Sequence, residues 1–265
     1  MSASPLNLFV SHGDTTPSWR MHIAVAQMAY DKGLFSAAAR NYRTALSLAE
    51  SLHLGDAEVS VGLVGLAKCH CEQGNFAEAE SLYRRVLDID QATMSSRCGT
   101  LAEDLYDLAT LYLRTNRFGE AEGLLKKSVT IWNDLDVQSI NLAAAEKSLG
   151  YIYCQAGKLD KAERTMQHAL SICDTSAGRQ TAVYAEALIV QGLIAVKRNR
   201  LTEAEDLIER AIASFELLTG GEHPELAKFL DLAAEIFGSE NAQSKVKELT
   251  DRAKSIRSRI NARDH

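Results

Sequence analysis

Only three prolines, Pro5, Pro17 and Pro224, interrupt 265 residues. Proline removes an amide donor and clashes with the preceding helical turn. So few of them across this length favours a nearly all-helical chain. The five cysteines, Cys69, Cys71, Cys98, Cys154 and Cys173, are odd in number and irregular in spacing, so they form no disulfide framework. They read as reduced thiols in a cytoplasmic protein. Cys69 and Cys71 stand two apart, which on a helix turns them to different faces and disfavours a shared metal ion. No apolar run is long enough to cross a bilayer. The first residues, MSASPLNLFVSHGDTTPSW, show no basic start followed by an apolar core, so no secretory signal is expected. A net charge of −6 and a pI of about 5.7 argue against non-specific nucleic-acid or anionic-membrane binding. Gly-rich phosphate loops and H-E-x-x-H are absent, and the seven histidines are scattered. No catalytic residue, metal or cofactor is therefore expected.

What is present is a repeat. The best-formed unit runs from Leu149 to Leu170, LGYIYCQAGKLDKAERTMQHAL. Gly150 and Ala162 are small where two paired helices would cross closely, and Tyr153 and Met166 fill the space beside them. Gly157 suits a left-handed turn between the helices. Asp160 and Glu163 read as a capping pair for the second helix, and Thr202 and Glu205 repeat it. Glu80 and Glu122 read as first-turn charges suited to the helix dipole. The turn position recurs at Gly33, Gly74, Asn116, Gly157, Asn199 and Asn241, every 41 or 42 residues. Gly and Asn are the residues most tolerant of left-handed backbone.

These residues resemble the tetratricopeptide repeat, a helix–turn–helix unit that stacks into a solenoid. The period exceeds the ~34 residues of the ordinary repeat. In this, and in Gly221-Glu222-His223-Pro224-Glu225-Leu226-Ala227, the chain is similar to the kinesin-light-chain subtype. That family's L-N-N-L-A asparagines have no counterpart: the positions hold Ile23-Ala24, Val64-Gly65, Tyr106-Asp107, Lys147-Ser148, Ile189-Val190 and Asp231-Leu232. The resemblance extends to fold and repeat subtype, over roughly residues 19–256, and not to a cargo.

The expected fold is an all-α, right-handed solenoid of antiparallel helix pairs. Residues 1–18 form an N-terminal arm, 19–256 an array of five clear repeats and a degenerate sixth, and 257–265 a basic tail. From Lys245 onward seven Lys/Arg face three Asp/Glu, which suits either a capping helix or a docking tail. First helices line the concave wall of such a solenoid. Placed on that wall are Tyr30, Lys68, Tyr106, Thr110, Arg114, Lys147, Tyr151, Ile189 and Leu193, with Tyr106, Arg114, Lys147 and Tyr151 as the expected hot spot. Tyrosine beside lysine or arginine suits a peptide carrying apolar and acidic groups. Across the wall six cations and six anions cancel, so no strong groove potential follows. The expected function is a non-catalytic adaptor or scaffold for a protein or peptide partner, with homo-oligomerisation open. The alternatives are a peptide-responsive regulator and a self-assembling solenoid.

Overall fold

Among the described residues, five second helices start right after a left-handed turn, and one hydrogen bond closes each of these turns. Gly33, Gly74, Asn116, Gly157 and Asn199 all have φ between 59° and 78°. In each, the next amide donates five residues back: Leu34 to Ala29, Asn75 to His70, Arg117 to Tyr112, Lys158 to Tyr153 and Arg200 to Ala195, at 2.8–2.9 Å. The bond satisfies a carbonyl that the ending helix leaves open. The repeat read from these residues is therefore a repeat of backbone geometry.

The computed structural model describes residues 16–92, 99–135, 139–174, 178–220, 224–238 and 243–263. Twelve helices and no strand occur among them: α1 (Thr16–Asp31), α2 (Phe35–Ser51), α3 (Asp56–Glu72), α4 (Phe76–Ala92), α5 (Gly99–Arg114), α6 (Phe118–Asp134), α7 (Ile140–Gln155), α8 (Leu159–Cys173), α9 (Ala182–Lys197), α10 (Leu201–Thr219), α11 (Pro224–Gly238) and α12 (Gln243–Arg263). The turn expected at Asn241 and most of the arm expected at 1–18 lie outside the described residues. The boundary expected at residue 256 falls inside α12, which continues to Arg263 and buries Ile256.

The chain divides within α6 into two units, residues 1–121 and 122–265. In the first, α1 packs on α2, α2 on α3, α3 on α4 and α4 on α5, and α1 also meets α3. In the second, neighbours pack in the same way from α7 to α12, and the first helices meet as α7 with α9 and α9 with α11. First helices thus line up along each unit while second helices back them, as stacked repeats require.

Small residues set the spacing. A methyl group added at Gly150 would lie 2.4 Å from Met166 Sδ, and one at Gly192 would lie 3.0 Å from Ile208. Ala162 and Ala204, on the facing helices, are fully buried. The core of the second unit is a continuous apolar cluster from Ala185 to Ile256. In the first unit Trp19 closes one cluster with Ala45 and Ala49, while Ala26, Ala38, Ala39, Tyr42, Leu66 and Cys69 form another.

The capping pairs are a correction. α8 begins at Leu159 after Lys158, and α10 at Leu201 after Arg200, with no side-chain cap at either start. Asp160, one residue inside α8, pairs with Arg198, and Glu163 pairs with Arg198 and Arg200. Glu80 likewise sits five residues into α4, beyond the first turn, and takes Arg117 Nη1 at 2.7 Å and the Tyr112 hydroxyl at 2.9 Å. Arg117 and Arg200 both directly follow a turn residue, and Glu80 and Glu163 both stand six past the preceding one. One clamp therefore ties successive repeats in each unit, and the carboxylates serve it rather than their own helix ends. Side-chain caps occur instead on first helices, from Ser139 to the Leu142 amide and from Thr181 to the Tyr184 amide.

The clamp predicts an ordering of mutants. Arg117 holds Glu80 and Glu120 and lies 4.0 Å over the Tyr112 ring, whereas Arg85 makes a single exposed pair with Glu50. Arg117→Ala should lower the melting temperature measurably and Arg85→Ala hardly at all, because isolated surface pairs contribute little. Thermal melts followed by circular dichroism read the difference.

Candidate functional site

Gln27, Lys68 and Thr110 occupy the same position in three successive repeats, six residues before each turn. They come together in the first unit at a pocket of about 350 Å³. Tyr30, Glu72 and Arg114 complete its rim, and Tyr42, Cys71, Tyr83, Asp107 and Leu111 its floor. α1, α3 and α5 supply most of this surface. α2 and α4 contribute one tyrosine each, reaching between the first helices from behind.

The charges are matched in pairs across repeats. Lys68 Nζ stands 2.9 Å from Asp107 Oδ2. Arg114 Nη1 donates to Glu72 Oε1 at 2.6 Å, and its guanidinium lies 5.5 Å from the centre of the Phe76 ring. Tyr42 donates to Gln27 Oε1 at 3.0 Å, and Gln27 Nε2 donates to Asp31 at 2.8 Å. Tyr30 meets the Phe35 ring edge-on at 5.4 Å. Burial, with Glu72 next in weight, pushes the Tyr30 phenol up to about 12, and burial does the same for Tyr42. Burial with Asp107 and Cys71 nearby drives Tyr83 further up. Burial also raises the Cys71 thiol, and with Glu72 it lifts Cys69 to about 11. These groups are neutral at pH 7, and a protonated thiol is a poor nucleophile. Burial pulls Lys68 down, but Asp107, Asp104 and Glu103 outweigh it and hold its ammonium above the ordinary range. The pocket offers phenol hydroxyls, aromatic edges and two exchangeable ion pairs.

Of the expected wall residues, Tyr30, Lys68, Thr110 and Arg114 line this pocket. Tyr106 stands one turn before Thr110 on α5, and its carbonyl accepts the Thr110 hydroxyl at 3.0 Å. In the second unit Lys147 pairs with Glu186 and is mostly buried. Tyr151 is half-buried on α7, and Leu193 packs half-buried against the core. Ile189 is 3% exposed inside that core and offers no contact surface. Among the described residues no group of three His, Cys, Asp or Glu is placed to hold a metal ion.

Tyr42 and Tyr83 are the pocket residues that reading the wall alone missed. They stand 41 residues apart at equivalent positions on second helices, which mark packing in the repeat pattern. Their recurrence as tyrosine was the available signal.

Asp104 lies behind this wall, at the packing of α5 on α4. Burial and the adjacent Asp90 carboxyl push it up to about 8. A carboxyl raised above its unfolded value adds stability below about pH 4 and loses it as pH rises through about 8. Asp104→Asn should therefore leave the melting temperature unchanged near pH 4 and raise it by several degrees near pH 8–9. Melts across that pH range check the sign.

The family model of the tetratricopeptide repeat matches residues 20–92, 58–134 and 141–217, together well over half of the chain. The chain belongs to the tetratricopeptide repeat family. Among curated proteins, it is 28% identical to the Arabidopsis thaliana protein Kinesin light chain-related 3 over 174 residues, 64% of this chain and 27% of that one. The chain spans less than a third of the length of the curated relatives it matches. Among solved structures, BtubC (BKLC) from P. vanneervenii aligns at a TM-score of 0.64 and 24% identity, over 92% of each chain. A Rap protein complexed with competence and sporulation factor aligns at 0.70 and 18% identity, over 95% of this chain and 66% of that one. The two likenesses support a helical tetratricopeptide solenoid.

Proposed function

We propose that the chain is a non-catalytic interaction scaffold that takes a short peptide segment or domain edge of a partner protein on its first-helix wall. The pocket of the first unit is the anchor. The observation that carries this reading is the convergence of Gln27, Lys68 and Thr110, equivalent in three repeats, with Tyr30 and Arg114 on one preformed concavity. Its side chains are already held by one another, so little ordering cost remains for binding. A partner's apolar or aromatic side chain would enter among the tyrosines, and a partner carboxylate would share Lys68 or Arg114 with its present anion. Tyr106 is proposed as a contact residue beside this pocket, and Lys147, Tyr151 and Leu193 as contact residues of the second unit's own first helices. The array is taken to run from α1 through α12 and the protein to act in the cytoplasm. No described helix is long and apolar enough to cross a membrane.

Affinity capture from the source cell's lysate, comparing wild type with Tyr30→Ala/Arg114→Ala, tests this. Circular dichroism first checks that the variant is folded. A partner retained by wild type and reduced by about tenfold or more on the variant is the expected result, since truncating a central aromatic and an arginine removes the usual hot-spot residue types. Equal retention would remove the pocket from the account.

A further inference from the structure

The first helix of the array carries an exposed apolar stripe whose counterparts are buried on α3 and α9, while on α5 they include the half-buried Asp104 and Asp107 and on α11 the exposed Leu232. Met21, Ala24, Val25 and Met28 follow one another at helical spacing along α1. Met21 is 56% exposed, Val25 44% and Met28 60%. One repeat later, 41 residues on, the same positions are Gly62, Gly65, Leu66 and Cys69, all buried. They are the residues that pack on the preceding second helix. A methyl group at Gly62 would lie 3.2 Å from Leu46 Cβ and one at Gly65 2.2 Å from the Tyr42 ring. Leu66 and Cys69 share an apolar cluster with Ala38, Ala39 and Tyr42 of α2. In the second unit the same four positions of α9 are Ala187, Val190, Gln191 and Ile194, again all buried, and α9 packs on α8. The stripe on α1 is thus the receiving half of the packing seen between α2 and α3 and between α8 and α9.

We propose that this stripe receives an amphipathic helix of a partner protein, laid along α1 as α2 lies along α3. The chemistry asked of that helix is the α2 pattern: small residues with a large apolar or aromatic pair four apart, as in Ala38, Ala39, Tyr42 and Leu46. Methionine suits such a docking face because its unbranched, polarizable side chain adapts to different partners. A second copy fits less well. Four side chains on one helix offer far less than the ~800 Å² per partner of a stable interface. The opposite end of the array supplies no match either, because α12 carries Thr250 and Lys254 where α2 carries Tyr42 and Leu46. The stripe lies apart from the lining of the wall pocket, so this proposal stands or falls separately from the proposed function.

The probe is a fluorescein-labelled, side-chain-stapled peptide with the sequence of Phe35–Ser51, titrated by anisotropy into the full chain. Saturable binding on the order of micromolar is expected, weakened about tenfold or more by Met21→Glu/Met28→Glu and by glutamate at the peptide's Tyr42 position. The same double variant should melt at the wild-type temperature and sediment as the wild type does. Absence of binding, or binding that survives the charge substitutions, overturns the proposal. So does a fall in melting temperature, which would mean that the chain's own residues 1–15 cover the stripe. A change from dimer to monomer would assign it to a second copy and overturn the proposal equally.

Discussion

Gly65→Ala is expected to lower stability by about 1–3 kcal/mol, although replacing glycine within a helix usually helps. The added methyl group would sit 2.2 Å from the Tyr42 ring. That ring is buried, and its hydroxyl is tied to Gln27 on the neighbouring first helix. It can move aside only by separating α2 from α3 or by breaking a bond at the pocket. The contrast is Gly123→Ala in α6, where a methyl group meets nothing within 4 Å. There the gain in helix propensity acts alone, and stability should rise by about 0.5–1 kcal/mol. Urea denaturation of the two variants reads opposite signs. Equal gains would mean that α3 does not approach α2 as closely as the repeat packing requires.

Thr110→Phe should abolish partner binding while leaving the fold intact. Thr110 lies at the centre of the wall position shared with Gln27 and Lys68. Its hydroxyl is satisfied within α5 by the Tyr106 carbonyl, so no partner across the pocket is orphaned by its loss. The phenyl group occupies space that a ligand side chain needs, in a pocket of about 350 Å³. A binding loss of about tenfold or more is the expected effect of blocking a central anchor. Thr130→Phe is the control. That threonine makes the same bond within α6, to the Lys126 carbonyl, and is exposed away from the pocket lining. Both variants should melt within a few degrees of wild type. Loss of binding in Thr110→Phe alone, measured by calorimetry with a captured partner, is the predicted outcome.

The turns were the legible part of the fold. A left-handed residue every 41 or 42 positions leaves only Gly or Asn as cheap choices, so the backbone period prints directly on the sequence. The crossing points were legible for a related reason, since close helices tolerate only small residues. What the pattern could not show was which of two jobs a charged side chain takes. Asp160 and Glu163 have capping-pair spacing, yet the helix starts two residues earlier than that pattern needs. Arginines a repeat away claim both carboxylates. Such a partner is visible only once repeats are stacked. Part of the expected residue set was legible as a cluster, since Tyr30, Lys68, Thr110 and Arg114 line one pocket. Its floor was not, because Tyr42 and Tyr83 come from helices whose residues read as packing. Ile189 shows the opposite limit: its place in the repeat matches the wall, but the turn of α9 carries its side chain into the core.

The account rests on the wall of first helices as the binding surface, and hydrogen exchange of the chain with and without a captured partner tests it most directly. Added protection in α1, α3 and α5, around Tyr30, Lys68 and Thr110–Arg114, is the predicted result. Protection confined to second helices or to α12, with the wall exchanging as in the free chain, would contradict it.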